Sequence, residues 1–413
     1  MIFIYNFGIQ LYYWLIKFFS FYNSKAKFWI DGRENQKHLF DLKSNVNDDW
    51  VWFHFASLGE FEQGRSVLEL FKKENNSYKI VVSFFSPSGF ENKKTYSLAD
   101  FICYLPLDTQ SNAKKFIDHF NPKFVVFTKY EYWFHYFNEL NKKEIPIYLI
   151  SAIFRKEQIF FKWYGSLHRT ILGMVSHFFV QDQNSKILLQ SLGINNSSVN
   201  GDTRFDRVFE TASSKDFNFP FQLINGNKIF IGGSTWKKDE EIILGLVQSK
   251  VKNINFIIVP HEVDAENINR IKELFSNKSI LYSEILKSKE VKELPKILIV
   301  DSIGLLSKLY KIADFTYIGG GFDKGIHNIL EAAAFGNPII LGPKNQKFKE
   351  AQDLKKVNAA FEINNEKELK EIINILNNDI EVYKKASEES LKYISKNIGA
   401  SRIIVSALNK NIK

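Results

Sequence analysis

The stretch Asp301-Ser-Ile-Gly-Leu-Leu-Ser-Lys-Leu-Tyr310, Ala313-Asp-Phe-Thr-Tyr-Ile-Gly-Gly-Gly321, Gly325-Ile-His-Asn-Ile-Leu-Glu331 and Pro338-Ile-Ile-Leu-Gly-Pro343 decides the fold class. A β-rich run from Phe315 to Ile318 feeds a glycine triplet that lets backbone approach a ligand closely. The pattern predicts a helix opening near His327, with its free N–H groups and positive dipole end suited to phosphate. A second set of donors is expected where a helix begins near Ile303-Gly304, so Gly304, Leu305 and Leu306 join the candidate site with Gly320. Glu331, about one turn into the first of these helices, would accept hydrogen bonds from ribose hydroxyls. Read individually, the glycines need only make tight turns between strand and helix. Together with His327, Asn328, Ile329, Leu330 and Glu331 at fixed offsets they point to a nucleotide.

Working outward, short β-rich runs alternate with amphipathic stretches throughout the chain. Val51 to Phe55, Ile80 to Phe84, Phe124 to Phe127, Ile147 to Ile150 and Phe178 to Val180 read as strands of one parallel sheet. Lys228 to Gly232, Phe256 to Pro260, Ile297 to Val300, Phe315 to Ile318 and Pro338 to Leu341 read as strands of another. The expected architecture is α/β, with two doubly wound Rossmann-like domains facing a cleft, since ligands bind beyond the carboxyl ends of such strands. The expected boundaries are an apolar helix over 1–22, a first domain over 23–206, a linker over 207–227 and a second domain over 228–413. Three helices are expected near the C-terminus, one of which could cross back to the first domain.

Ile2 to Phe19 is almost continuously apolar, and its polar residues Asn6, Gln10 and Lys17 fall within about 40° of one another on a helical wheel. Such a helix suits the membrane interface, with Tyr12, Tyr13 and Trp14 at headgroup depth. A spanning anchor and a buried core helix are the other readings, while the missing basic segment before the run argues against a cleaved signal peptide.

The single cysteine, Cys103, excludes an internal disulfide and a cysteine-cluster metal site. A net charge of +9 favours anionic partners, whether an anionic membrane surface, a phosphorylated substrate or nucleic acid. The basic residues do not gather in one arm or tail, which argues against nucleic acid. Asp-x-Asp is absent from the sequence and the histidines lack paired zinc spacing, so no metal is expected.

The same glycine-rich stretch resembles the donor-binding half of the Kdo transferases of lipid A biosynthesis, which are inverting, metal-independent GT-B glycosyltransferases using CMP-Kdo. Further blocks agree in the same order: His54-Phe-Ala-Ser-Leu-Gly-Glu60, Tyr104-Leu-Pro-Leu-Asp108, Tyr130-Glu-Tyr-Trp133, Gly201-Asp-Thr-Arg-Phe-Asp206 and Gly233-Ser-Thr-Trp-Lys-Lys-Asp-Glu-Glu241. The resemblance implies CMP-Kdo as donor with no other cofactor, lipid IVA as acceptor, and a place on the cytoplasmic face of the inner membrane. It implies that Glu60 is the general base, although Ser57 and Glu60 also stand at capping-box spacing. Glu131 and Arg204 match positions that stabilise the transition state, with Arg204 replacing the usual lysine. Arg204 could equally pair with Asp202 or Asp206, and Glu131 could be a carboxylate at a helix start. Pro260-His-Glu262 matches a nucleotide-contacting segment that usually reads Pro-Arg-His, so His261 and Glu262 depart from the pattern. Ser234 and Thr235 would give hydroxyls to the donor or cap the following helix. The basic residues between Ser151 and Arg169 could meet acceptor phosphates or form a solvated face. A UDP-sugar transferase, a sugar-nucleotide epimerase and a membrane-bound binding protein without turnover are the competing functions.

Overall fold

The computed structural model describes residues 1–36, 48–214, 227–249, 251, 253–276, 279–287 and 295–410. The chain divides into two compact units, Met1–Arg207 with Ile398–Lys413, and Val208–Asn397.

The first unit is built on strands β1 (Trp50–Phe55), β2 (Lys79–Phe84), β3 (Phe101–Tyr104), β4 (Val125–Thr128), β5 (Ile147–Ala152), β6 (His177–Val180) and β7 (Ser197–Val199). All pair in parallel, in the order β3-β2-β1-β4-β5-β6-β7. Every residue of β1 is buried, as a strand covered on both faces requires. Its side chains nonetheless alternate. Trp50 and Trp52 join a cluster with Phe116, Phe127 and Tyr136, while Val51, Phe53 and Phe55 join another with Phe61, Phe71 and Phe124. Much of the phenylalanine content is thus spent on two cores, one on each face of the sheet.

The second unit carries β8 (Lys228–Thr235), β9 (Ile254–Pro260), β10 (Ser279–Leu281), β11 (Ile297–Ile299), β12 (Phe315–Ile318), β13 (Ile339–Leu341) and β14 (Ala360–Glu362). The parallel order is β10-β11-β9-β8-β12-β13-β14. Strand order reverses direction beside β1 and β4 in the first unit and beside β8 and β12 in the second, and crevices for ligands open beyond the carboxyl ends at such points.

Two expected boundaries move. Residues 207–213 belong to the helix Thr203–Ser213 and not to a linker, whose remainder falls largely outside the described residues. The C-terminal helix Ala400–Asn409 belongs to the first unit, so the second ends at Asn397. Ile404, Val405 and Leu408 enter the core around Phe53. Asp206 holds the start of this helix by accepting from the Gly399 and Ser401 amides at 2.5 and 2.7 Å.

The helix Ile2–Phe19 contains no buried residue, which removes the core-helix reading. Among the described residues no helix is long and apolar enough to cross a membrane. The helix is tied to the first unit on one side: Tyr5 Oη donates to Asp108 at 2.5 Å, Asn6 Oδ1 meets His135 Nε2 at 2.6 Å, and the Tyr12 ring packs edge-on to Trp29.

Candidate functional site

In the first unit the candidate carboxylates lie where the chain leaves β1 and β4. Glu60 sits in the first turn of the helix Leu58–Glu74 and accepts from the Ala56 amide at 2.6 Å. Ser57 is the N-cap residue but its side chain makes no capping bond, so the reciprocal capping box does not form. Burial and then the negative charge of Glu131 push the Glu60 carboxyl up to about 7, against the smaller opposing effects of the Ala56 amide and Lys129. A carboxyl poised there is half ionised near neutrality, as a general base requires.

Glu131 is fixed from two sides. Trp133 Nε1 donates to its Oε2 at 2.7 Å, and His54 Nε2 lies 3.3 Å from the same oxygen. The His54 ring is in turn held through Nδ1 by Ser83 Oγ at 2.8 Å, which also accepts from Trp52 Nε1 at 2.7 Å. Glu131 therefore ends a hydrogen-bonded chain that rises from the core of the sheet. Beside it opens a cavity of about 390 Å³ lined by Tyr130, Tyr132, Trp133, Ile159, Phe160 and His168.

Arg204 pairs with Asp202, its Nε and Nη2 lying 2.8 and 2.7 Å from Oδ2. Asp202 also accepts from Gln63 at 3.0 Å, and Ser151 Oγ meets Thr203 Oγ1 at 2.7 Å. The end of β5 and the segments following β1 and β7 thus converge at one end of the sheet. Arg169 donates to the Phe160 and Lys162 carbonyls and so holds the Ser151–Arg169 loop together.

The second unit corrects several expectations about the glycine stretch. The helix there runs only over Leu330–Ala333, and the one after Gly304 only over Leu306–Leu309. His327 precedes the helix in irregular chain, its amide donating to the Gly319 carbonyl at 3.2 Å. The Gly319 amide is spent on the Gly233 carbonyl, and the Gly320 amide on Asp239 Oδ2 at 2.8 Å. Neither points to a phosphate. The glycines are required instead by close approach: a Cβ on Gly319 would lie 2.3 Å from the Ser234 carbonyl oxygen, and one on Gly321 2.6 Å from Gly342 backbone. Gly304 and Gly320 also take the left-handed conformation, with φ of 88° and 89°.

Ser234 and Thr235 do not cap the following helix. Its N-cap is Trp236, whose amide donates to Asp239 at 2.9 Å, and the Thr235 hydroxyl donates to buried Glu240 at 3.1 Å. Asn328 Nδ2 donates to Glu331 Oε1 at 2.9 Å, and Asn328 Oδ1 accepts from the Leu330 amide. Ile329 and Leu330 are buried and position these polar neighbours from below. Pro260 ends β9. After it the His261 amide donates to the Thr235 carbonyl, and Glu262 is exposed.

Trp236, which sequence reading left outside the site, is central to it. Its indole Nε1 donates to His327 Nε2 at 2.9 Å. The His261 ring stacks over both, with centroids 4.8 Å from Trp236 and 4.2 Å from His327. The sequence signal available was the aromatic beside Ser234-Thr235 at the end of β8. Among the described residues no group of carboxylate, histidine and cysteine side chains is placed to hold a metal.

The family model described as 3-deoxy-D-manno-octulosonic-acid transferase (Kdo transferase) matches residues 25–207. A 3-deoxy-D-manno-octulosonic acid transferase of Chlamydophila psittaci is 30% identical over 311 residues, covering 72% of this chain and 70% of that protein. A bifunctional glycosyltransferase/methyltransferase of Fusobacterium nucleatum is 27% identical over 390 residues, which are 91% of this chain but only 59% of that longer relative. Among solved structures, the UDP-GlcNAc 2-epimerase of Neisseria meningitidis bound to UDP-GlcNAc superposes with a TM-score of 0.63 at 17% identity, covering 87% of this chain and all of the other. That likeness is one of fold.

Proposed function

Because the chain belongs to the Kdo transferase family, we propose that it moves Kdo from CMP-Kdo to the lipid A precursor lipid IVA, with inversion, without a metal and at the cytoplasmic face of the inner membrane. The observation that carries this reading is Glu60 at the strand-order reversal, with a carboxyl pushed up to about 7 beside Glu131. As a carboxylate, Glu60 takes the proton of the acceptor hydroxyl while its oxygen attacks the anomeric carbon, and CMP departs with the bonding electrons. Arg204, oriented by Asp202, answers the charge developing on the departing phosphate. On the second unit His327, Asn328 and Glu331 hold the nucleotide.

The aromatic cavity beside Glu131 suits the acceptor. The exposed face of the helix Ile2–Phe19, with Phe3 at 82% and Trp14 at 60% exposure, supports docking at a membrane interface.

The test combines donor binding with transfer. CMP should raise the melting temperature more than UDP or ADP does, and Glu60→Gln should keep that shift while transfer to lipid IVA falls by about 100-fold or more. A preference for UDP would replace the donor by a UDP-sugar. Transfer at the wild-type rate in Glu60→Gln would leave Glu60 with its backbone bond alone.

A further inference from the structure

An indole N–H only donates, so the 2.9 Å contact from Trp236 Nε1 obliges His327 Nε2 to accept. A neutral ring that accepts at Nε2 carries its proton on Nδ1. The opposite assignment would set two N–H groups against each other. The edge of the ring bearing Nε2 is further confined by Gly320, where even a Cβ would come within 3.3 Å of that nitrogen. Among the described residues no hydrogen bond uses Nδ1, so its proton is left for a ligand.

Resting on the nucleotide assignment made above, we propose that Trp236 is a positioning residue: it fixes His327 as the Nδ1–H tautomer, a neutral donor to an oxygen of a nucleoside monophosphate. His261 completes the device by stacking, its ring inclined 19° to His327 and 26° to Trp236. The charged groups nearby are Lys324, whose amine lies 6.0 Å from the Trp236 ring centre, and Asp239, whose Oδ2 accepts from the Trp236 and Gly320 amides at 2.9 and 2.8 Å. Burial and the proximity of His261 hold the His327 ring down to about 4, consistent with a site that binds through a neutral N–H. The departure of His261 from the arginine usual in the family pattern acquires a use: a flat ring can stack on His327, where its role is to shield the Trp236–His327 bond from water.

The experiment is long-range ¹H–¹⁵N correlation of the histidine rings in the full-length protein at about pH 7.5, with His327→Gln identifying the His327 signals, followed by calorimetric titration of CMP. Wild-type protein should show Nδ1 protonated and Nε2 bare. Trp236→Phe keeps a ring for His261 to stack on and removes only the N–H. Its His327 should move towards the Nε2–H form, and CMP should bind about 3- to 10-fold more weakly, the scale of one hydrogen bond. An imidazolium or an Nε2–H ring in the wild type, or an unchanged tautomer in Trp236→Phe, overturns the proposal. Should the tautomer behave as described while the wild type binds no CMP, the role of Trp236 in fixing the ring stands and the nucleotide reading is what fails.

Discussion

Glu60 and Glu131 share one electrostatic problem: two carboxylates after neighbouring strands cannot both ionise cheaply. Glu131 is held by an indole N–H at 2.7 Å and by an imidazole at 3.3 Å. Glu60 has a single amide and feels Glu131 as a cause that raises its pKa. Transfer should therefore rise with pH through about 7. In Glu131→Gln the acid limb of the profile should move to lower pH, because the charge that raised Glu60 is gone, and a rate profile measured on both proteins checks this. Stability runs the other way. Between the ordinary 4.5 and about 7 the folded state keeps a proton that the unfolded chain releases, so Glu60 contributes less stability as pH rises through that window. Glu60→Gln should unfold at a temperature that is less dependent on pH there, and higher at neutrality. Positions 60, 131 and 204 are singled out in the sequence by the blocks that resemble the Kdo transferases, and the structure places each after a strand of the first unit. Trp236 is not legible, since an aromatic beside a turn is ordinarily core, and only its distance to His327 separates the two readings.

At the scale of elements, the strands inside each sheet read correctly, short ones included, and the edge strands β3, β7, β10 and β14 did not. Residues of β1, β5 and β9 are buried on both faces, so their runs are continuous and hard to mistake. Strands of three or four residues toward the sheet edges, such as β7, β10 and β14, leave too few side chains for any period to show. The glycine stretch misleads for another reason. Ile326, Ile329 and Leu330 have the spacing of a helix face, yet Ile326 is buried from irregular chain that the Gly319 carbonyl holds by the His327 amide. A helix-dipole site for phosphate is therefore replaced by side chains set on a tightly packed turn. This gives a prediction about stability. Gly319→Ala places a methyl 2.3 Å from the Ser234 carbonyl oxygen, where backbone must give way, and should destabilise the protein by about 1–3 kcal/mol in denaturant melts. Gly59→Ala is the control: its nearest neighbour would be Ser57 Oγ at 3.9 Å, and the change should be neutral or slightly stabilising.

At the scale of the whole molecule, the chain returns to its first unit through the helix Ala400–Asn409, whose apolar face the sequence shows without saying which sheet it covers. The N-terminal helix poses the opposite case, since its apolar face is legible and, within the first unit, stays uncovered. Asn6 meets His135, Tyr5 meets Asp108, and Tyr12 packs on Trp29, so polar atoms of the helix are used for docking to the first unit. Phe3, Phe7, Leu11, Trp14 and Phe18 are left 47–82% exposed, with Phe21 and Tyr22 continuing the series at 78 and 81%. At the other end of the helix, Met1 Sδ accepts from Ser166, close in sequence to Trp163 and Tyr164, themselves 90 and 54% exposed. A row of exposed aromatics of this kind has the composition of the headgroup layer. We expect the protein to sediment with vesicles containing anionic lipid. The double variant Phe7→Glu/Trp14→Glu, which touches none of the docking contacts, should lose most of that binding while keeping its melting temperature and its CMP-induced shift. Because the attraction would rest chiefly on buried apolar area, wild-type binding should survive about 0.5 M salt, where exposed charges are screened within a few ångström. Binding abolished by salt alone would instead assign the interaction to the net charge of +9 and leave the aromatic face without a role.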